Sequence, residues 1–188
     1  MMAVNIGGTL IVYAGDGTIG RVNLNVAGTT TIAATRTLNF TNIIGNKIFA
    51  GAVTINGSWN NTSNESIELR NGLTHSGASF NSGAGTYSFT TNTQTLGGTT
   101  GITFDGTVTV TGITLNNAKI TTIRGVLNGN ATGTWNNNNG SVLNYENATT
   151  PMAGGTFNVS TNSNTVNYSG SGAQDIRAVT YYNLITSG

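Results

Sequence analysis

Short runs in which apolar and polar residues alternate, each closed by Gly or Asn, recur along almost the whole chain. Val22, Leu24 and Val26 alternate with Asn23 and Asn25. Val53/Ile55, Ile67/Leu69, Tyr87/Phe89, Ile102/Phe104, Val108/Val110, Ile113/Leu115, Phe157/Val159 and Val166/Tyr168 repeat the arrangement. A period of two sends successive side chains to opposite faces, so each run predicts a half-buried strand. Roughly 16 such runs are legible, about 8–12 residues apart. Helical periodicity is missing, and Ala, Leu, Glu and Lys are too sparse for a helix of ordinary length.

Between the runs stand Asn56-Gly57, Asn71-Gly72, Asn128-Gly129, Asn139-Gly140, Gly7-Gly8, Gly97-Gly98 and Gly154-Gly155. Such pairs accept positive φ and turn a corner within two residues. The single proline, Pro151, falls in the loop Ala148-Thr149-Thr150-Pro151, where it breaks no strand ladder. Composition completes the picture: Asn, Thr and Gly supply 89 of 188 residues and charged residues only 7%, against about 25% in ordinary domains. An all-β fold follows, a single β-solenoid (β-helix) of short strands with Gly/Asn corners spanning residues 1–188. One or two β-sandwiches are the alternative, although these strands are short for that architecture.

Repetition within the chain is loose. Gly57-Ser58-Trp59-Asn60-Asn61 returns as Gly133-Thr134-Trp135-Asn136-Asn137. Tyr87-Ser88-Phe89-Thr90, with Gln94 and Leu96, returns at nearly the same interval as Val166-Asn167-Tyr168-Ser169, with Gln174 and Ile176. A duplicated block of several coils is expected, about 50–100 and 126–180, with Trp59 and Trp135 in equivalent positions.

Several functions are disfavoured. Net charge is +1 with no basic cluster, whereas phosphate-dependent binding needs Lys or Arg gathered on one face, so no nucleic-acid partner is expected. There is no cysteine, so disulfides and thiolate metal sites are out. Met1 to Gly8 lacks the basic start and apolar core of a signal peptide, and no apolar run reaches the roughly 20 residues of a membrane span.

Residue by residue, little points to catalysis. His75, the only histidine, has no Gly-x-Ser-x-Gly elbow to serve and reads as an exposed turn residue. Asp16, Glu65, Glu68, Asp105, Glu146 and Asp175 are scattered, while glycosidases gather carboxylates in one groove. Glu68 and Arg70 read as a cross-coil surface pair. No enzyme, cofactor or metal is expected. Trp59 and Trp135 are read chiefly as corner packing, with a sugar-binding platform as the functional alternative. Asn136 to Asn139 should form amide ladders between coils or solvated loops. Thr107, Thr109 and Thr111 form a hydroxyl row that Thr29 to Thr31 could extend, though without the fixed period that binding ice requires. Ten Asn-x-Ser/Thr sequons, among them Asn60, Asn61, Asn64, Asn130 and Asn147, are what chance yields in such a composition.

Asn164 to Gln174, Tyr181 to Gly188 and Phe49 to Thr62 resemble the Asn/Thr/Gly-rich β-solenoid arrays of large bacterial cell-surface proteins, similar to filamentous-haemagglutinin-like adhesins and autotransporter passengers. That resemblance implies an exported, extracellular or cell-surface stalk, adhesin or filament subunit, and no catalytic residues. It departs in two respects, having no export signal and no capping sequence after the last strand. Partners would be the chain itself, or adjacent coils of a longer chain. Head-to-tail stacking would bring Ile6, Leu10 and Val12 against Tyr181, Tyr182 and Leu184 of another copy. The alternatives are a carbohydrate-binding module contacting glycans through Trp59 and Trp135, or a viral tail-fibre segment.

Overall fold

In the computed structural model, which describes residues 2–187, the chain winds as a β-solenoid with three strands per turn. Turn 1 holds β1 (Met2–Ile6), β2 (Leu10–Val12) and β3 (Gly17–Ile19), and turn 2 holds β4 (Val22–Val26), β5 (Thr30–Ile32) and β6 (Thr37–Phe40). Turn 3 is β7 (Lys47–Phe49), β8 (Val53–Ile55) and β9 (Ser58–Asn60); turn 4 is β10 (Ile67–Leu69), β11 (Leu73–His75) and β12 (Ser79–Asn81). Turn 5 is β13 (Tyr87–Phe89), β14 (Gln94–Gly97) and β15 (Ile102–Phe104); turn 6 is β16 (Val108–Val110), β17 (Thr114–Asn117) and β18 (Ile120–Ile123). β19 (Leu127–Gly129), β20 (Thr134–Asn137) and β21 (Val142–Tyr145) complete turn 7. β22 (Thr156–Asn158) and β23 (Thr165–Tyr168) are all that turn 8 keeps, and β24 (Asn183–Thr186) belongs to a ninth. Met1 and Gly188, included in the single-domain expectation, lie outside the described residues.

Every strand pairs in parallel with at least one strand a turn away, which builds three faces. Face A runs β1-β4-β7-β10-β13-β16-β19, and face B runs β2-β5-β8-β11-β14-β17-β20-β22. Face C is β3-β6-β9-β12 and then, after a step that is not hydrogen-bonded, β15-β18-β21-β23-β24. At about 4.8 Å per turn the rod is about 38 Å long. The 24 strands exceed the 16 runs read from sequence because strands such as Gly17-Thr18-Ile19 and Ser79-Phe80-Asn81 carry too few apolar residues to show alternation.

The core is a set of columns. On face A, Val4, Leu24, Lys47, Ile67, Tyr87, Val108 and Leu127 are successive register partners. From Leu24 onward all of them are buried. The turn from Leu24 to its partner Lys47 is longer than the turn from Val166 to its partner Leu184, so the corners absorb length while the columns stay aligned. Close stacking explains Gly57 better than conformational freedom does: a β-carbon there would collide with the carbonyls of Ala33 and Arg36. Gly72, by contrast, does adopt positive φ, at 90°.

The internal repeat does not superpose on whole turns. Trp59 lies in β9 on face C and Trp135 in β20 on face B, eleven strands apart, or three and two-thirds turns. The local chemistry nevertheless recurs on the shifted face. In each Trp-Asn-Asn the Trp points inward, the next Asn outward, and the last is buried at a corner. Gln94 and Gln174 likewise play one role. Gln94 spans Gly72 N, Leu69 O and Thr90 O; Gln174 spans Gly170 N, Tyr145 O and Asn147 O. The motif encodes a corner rather than a coil.

Candidate functional site

Both tryptophans are fully enclosed, at 0% exposure. Trp59 packs between Phe40, Phe49 and Phe80 with ring centroids 4.6–6.1 Å away. Its indole N–H donates to the Tyr87 hydroxyl at 2.9 Å, and that of Trp135 donates to Asn137 Oδ1 at 2.9 Å. Neither ring offers a face to a sugar, so the platform reading of Trp59 and Trp135 is corrected and core packing stands. Burial pushes the Tyr87 phenol above its ordinary pKa, keeping it protonated as the donor to Ser82 O.

His75 is also a correction, being buried in β11 rather than exposed at a turn. Two residues after the inward-facing Leu73, it must point inward too. Its Nδ1 lies 3.1 Å from Gly101 O and its Nε2 has no hydrogen-bond partner.

Four of the six acids, Glu65, Glu68, Asp105 and Glu146, are dispersed into ion pairs, while Asp16 accepts the Thr37 N–H. Glu68, in β10, pairs at 2.7 Å with Arg70 just beyond the end of the same strand, on the outward side of face A, not across coils. The cross-coil charge bridge lies elsewhere: Arg124 contacts Asp105 at 2.8 Å and Glu146 at 3.0 Å, joining turns 5 to 7 at the corner between faces C and A. Lys47 and Glu65 form a pair 3.1 Å apart with both side chains at 0% exposure. The Lys47 ammonium also donates to Val22 O, Ile44 O and Gly45 O. Glu65 has no other donor, and burial pushes its carboxyl pKa up more than Lys47 draws it down. No group of three or more metal-ligating side chains occurs among the described residues.

Amide ladders run along the outside of the rod. Asn60 donates to Asn39 at 2.9 Å and Asn81 to Asn60 at 3.2 Å on face C; Asn136 donates to Asn116 at 2.8 Å and Asn158 to Asn136 at 2.7 Å on face B. The ladder expected of the 136–139 run is therefore present. Thr107, Thr109 and Thr111 flank the inward residues of β16 on face A, whereas Thr30 is buried on face B, so the two threonine rows share no surface.

The proposed end-stacking residues divide. Ile6 and Leu10 are half-buried at the rim of turn 1 and Val12 is buried. At the other end Tyr182 and Leu184 are exposed, but Tyr181 is engaged within the molecule, 2.8 Å from the Tyr168 hydroxyl and 2.8 Å from Arg177 O. Arg177 donates to the carbonyls of Pro151, Met152 and Gly155 and lies 6.0 Å from the Phe157 ring. Residues 169–182 thus fold over the turn in which Pro151 and Met152 stand where face A would have its next strand. This cap, held by the Arg177–carbonyl cluster together with Gln174 and the Tyr168–Tyr181 contact, left no apolar periodicity to read in advance.

A groove runs along face A, lined by Ile48, Ser66, Glu68, Ser88, Thr90 and Thr111. Sequence reasoning missed it because these residues meet only when successive turns are stacked. Compared with known protein families, curated proteins and solved structures, the chain matches none.

Proposed function

We propose that this protein is a non-enzymatic structural rod, an extracellular stalk, adhesin or filament element whose work is done by stacking along the solenoid axis. The observation that carries this reading is the rim of turn 1. There β1, β2 and β3 are the outermost strands of their sheets, and Val4, Ile6, Leu10 and Ile19 are only partly covered. Unpaired edges around an apolar cross-section are a template for a further parallel coil. That coil belongs either to a longer chain or to another copy. The scarcity of surface charge supports close approach of identical rods.

At the opposite end Arg177 and Tyr181 cover part of the cross-section, and β24 is the exposed edge strand. Head-to-tail growth therefore runs through Leu184 on face C and Tyr182 just before that strand, without Tyr181. Negative-stain electron microscopy across a concentration series tests the reading. Particles longer than the about 38 Å of one copy, lengthening with concentration and restored to single length by Leu10→Lys, are expected. Single-length particles at every concentration would overturn self-assembly.

A further inference from the structure

The face-A groove differs from the rest of the surface in two ways. Ile48, Glu68 and Ser88 are register partners in one outward column, so the groove follows the solenoid axis over turns 3 to 5. Thr90 and Thr111, each one residue beyond the pair Phe89–Val110, carry it into turn 6. Its floor thus changes along the axis from an aliphatic side chain to a carboxylate and then to hydroxyls. Glu68 is held in place: Arg70 Nε and Thr90 Oγ1 both donate to its Oε1, each at 2.7 Å. Arg70 also holds the Glu68 carboxyl below its usual pKa, so it stays an ionised acceptor at neutral pH.

A ligand suited to this surface must donate hydroxyls to a fixed carboxylate and exchange hydrogen bonds with Ser and Thr hydroxyls at steps of about 4.8 Å. It must also lay an apolar C–H face on Ile48. It should carry no net charge, because Glu68 and Arg70 neutralise each other. A neutral glycan meets all four demands, since each ring has an apolar face and a rim of hydroxyls, and ring-to-ring advance is comparable to the rise of one turn. We propose that the face-A groove binds a neutral oligosaccharide chain lying along the solenoid axis, with Ile48 under a ring and Glu68 accepting hydroxyl hydrogen bonds. This site is independent of the structural role above and uses neither tryptophan. A shallow, open site of this kind binds weakly, with Kd on the order of millimolar.

Amide chemical-shift titration of the isotope-labelled full chain is the test. The probes are cellohexaose, maltohexaose and chitohexaose as neutral chains, with an oligogalacturonate as the anionic control. At least one neutral hexasaccharide is expected to saturate, with shifts confined to β7, β10, β13, β16 and the residues adjoining them, Ser66, Thr90 and Thr111. Glu68→Gln should weaken that binding about tenfold, the loss typical of a hydrogen bond to a charged acceptor. Ser88→Trp should fill the groove and abolish it, while Asn144→Ser on face C leaves it unchanged. Absence of shifts with every neutral chain would overturn the proposal, as would shifts scattered over all three faces. Stronger binding of the oligogalacturonate, or equal binding by the folded Glu68→Gln and Ser88→Trp variants, would overturn it too.

Discussion

Two polar clusters are buried inside the rod, and they are built on opposite principles. Between turns 3 and 4, near the corner of faces C and A, Lys47 and Glu65 place a full charge pair in the dry interior. At the corner of faces B and C in turns 6 to 8, Asn117, Asn137 and Asn164 make a neutral column. Asn117 donates to Asn137 at 3.1 Å, and Asn137 donates to Asn164 at 3.2 Å. The amide column is closed: Asn137 Oδ1 also receives the Trp135 N–H, Asn117 Oδ1 receives the Thr121 hydroxyl, and Asn164 donates to Val159 O and Asn162 O. The ionic cluster is lopsided, its ammonium surrounded by acceptors and its carboxylate touched only by that ammonium. An amide carries both donor and acceptor and so can be handed on from turn to turn. A charge ends its ladder.

Breaking each cluster should separate them most sharply. Lys47→Met leaves the buried Glu65 carboxylate alone, and chemical denaturation near neutral pH should show a loss of about 3–5 kcal/mol. Asn137→Leu strips partners from Trp135, Asn117 and Asn164 without exposing a charge, so a smaller loss of about 2–3 kcal/mol is expected.

Acidity sharpens the contrast. The folded-state pKa of Glu65 is raised, so the native state holds the proton more tightly than the unfolded chain. Stability is then greatest below the unfolded value of about 4.3 and falls as pH rises through the folded value. Urea midpoints of Lys47→Met should drop steeply over that window, and those of Asn137→Leu should follow the parent. If the two variants share one pH profile, the ionic cluster is not what titrates.

The double variant Lys47→Met/Glu65→Leu removes both charges and should lie within about 1 kcal/mol of the parent, because a buried pair and an apolar replacement are near equal in worth. The smallest effect belongs to the surface. Arg124→Gln opens an exposed bridge and should cost about 0.5 kcal/mol, diminishing with added salt.

Much of this was legible in the chain, and the failures follow a rule. Most strand positions, the Gly/Asn corners and the amide ladder through Asn136 came from alternation and composition. The burial of Lys47 and Glu65 went unread, and His75 was misread as exposed, because polarity was allowed to outweigh period. Each stands two residues from an inward apolar residue, namely Phe49, Ile67 and Leu73, and each is buried with it. Trp59 and Trp135 obey the same alternation. The length of a turn was hidden because corners vary, and with it went every contact between turns, including the Arg124 bridge and the face-A groove. The repeated Trp-Asn-Asn pointed to a duplicated block of coils, and only the stacking shows that what recurs is a corner, a third of a turn out of phase.

The parallel winding has a mechanical consequence. A rod pulled along its axis bears load across the hydrogen bonds between neighbouring turns, one interface after another. Releasing the turn from Ile67 to its partner Tyr87 frees about 68 Å of extended chain in place of about 4.8 Å of rise. Stretching such a rod would yield a staircase of long steps rather than one rupture, and each step would dissipate work while the remaining turns stay wound. A force–extension trace with a single all-or-none break would show that the turns do not yield separately.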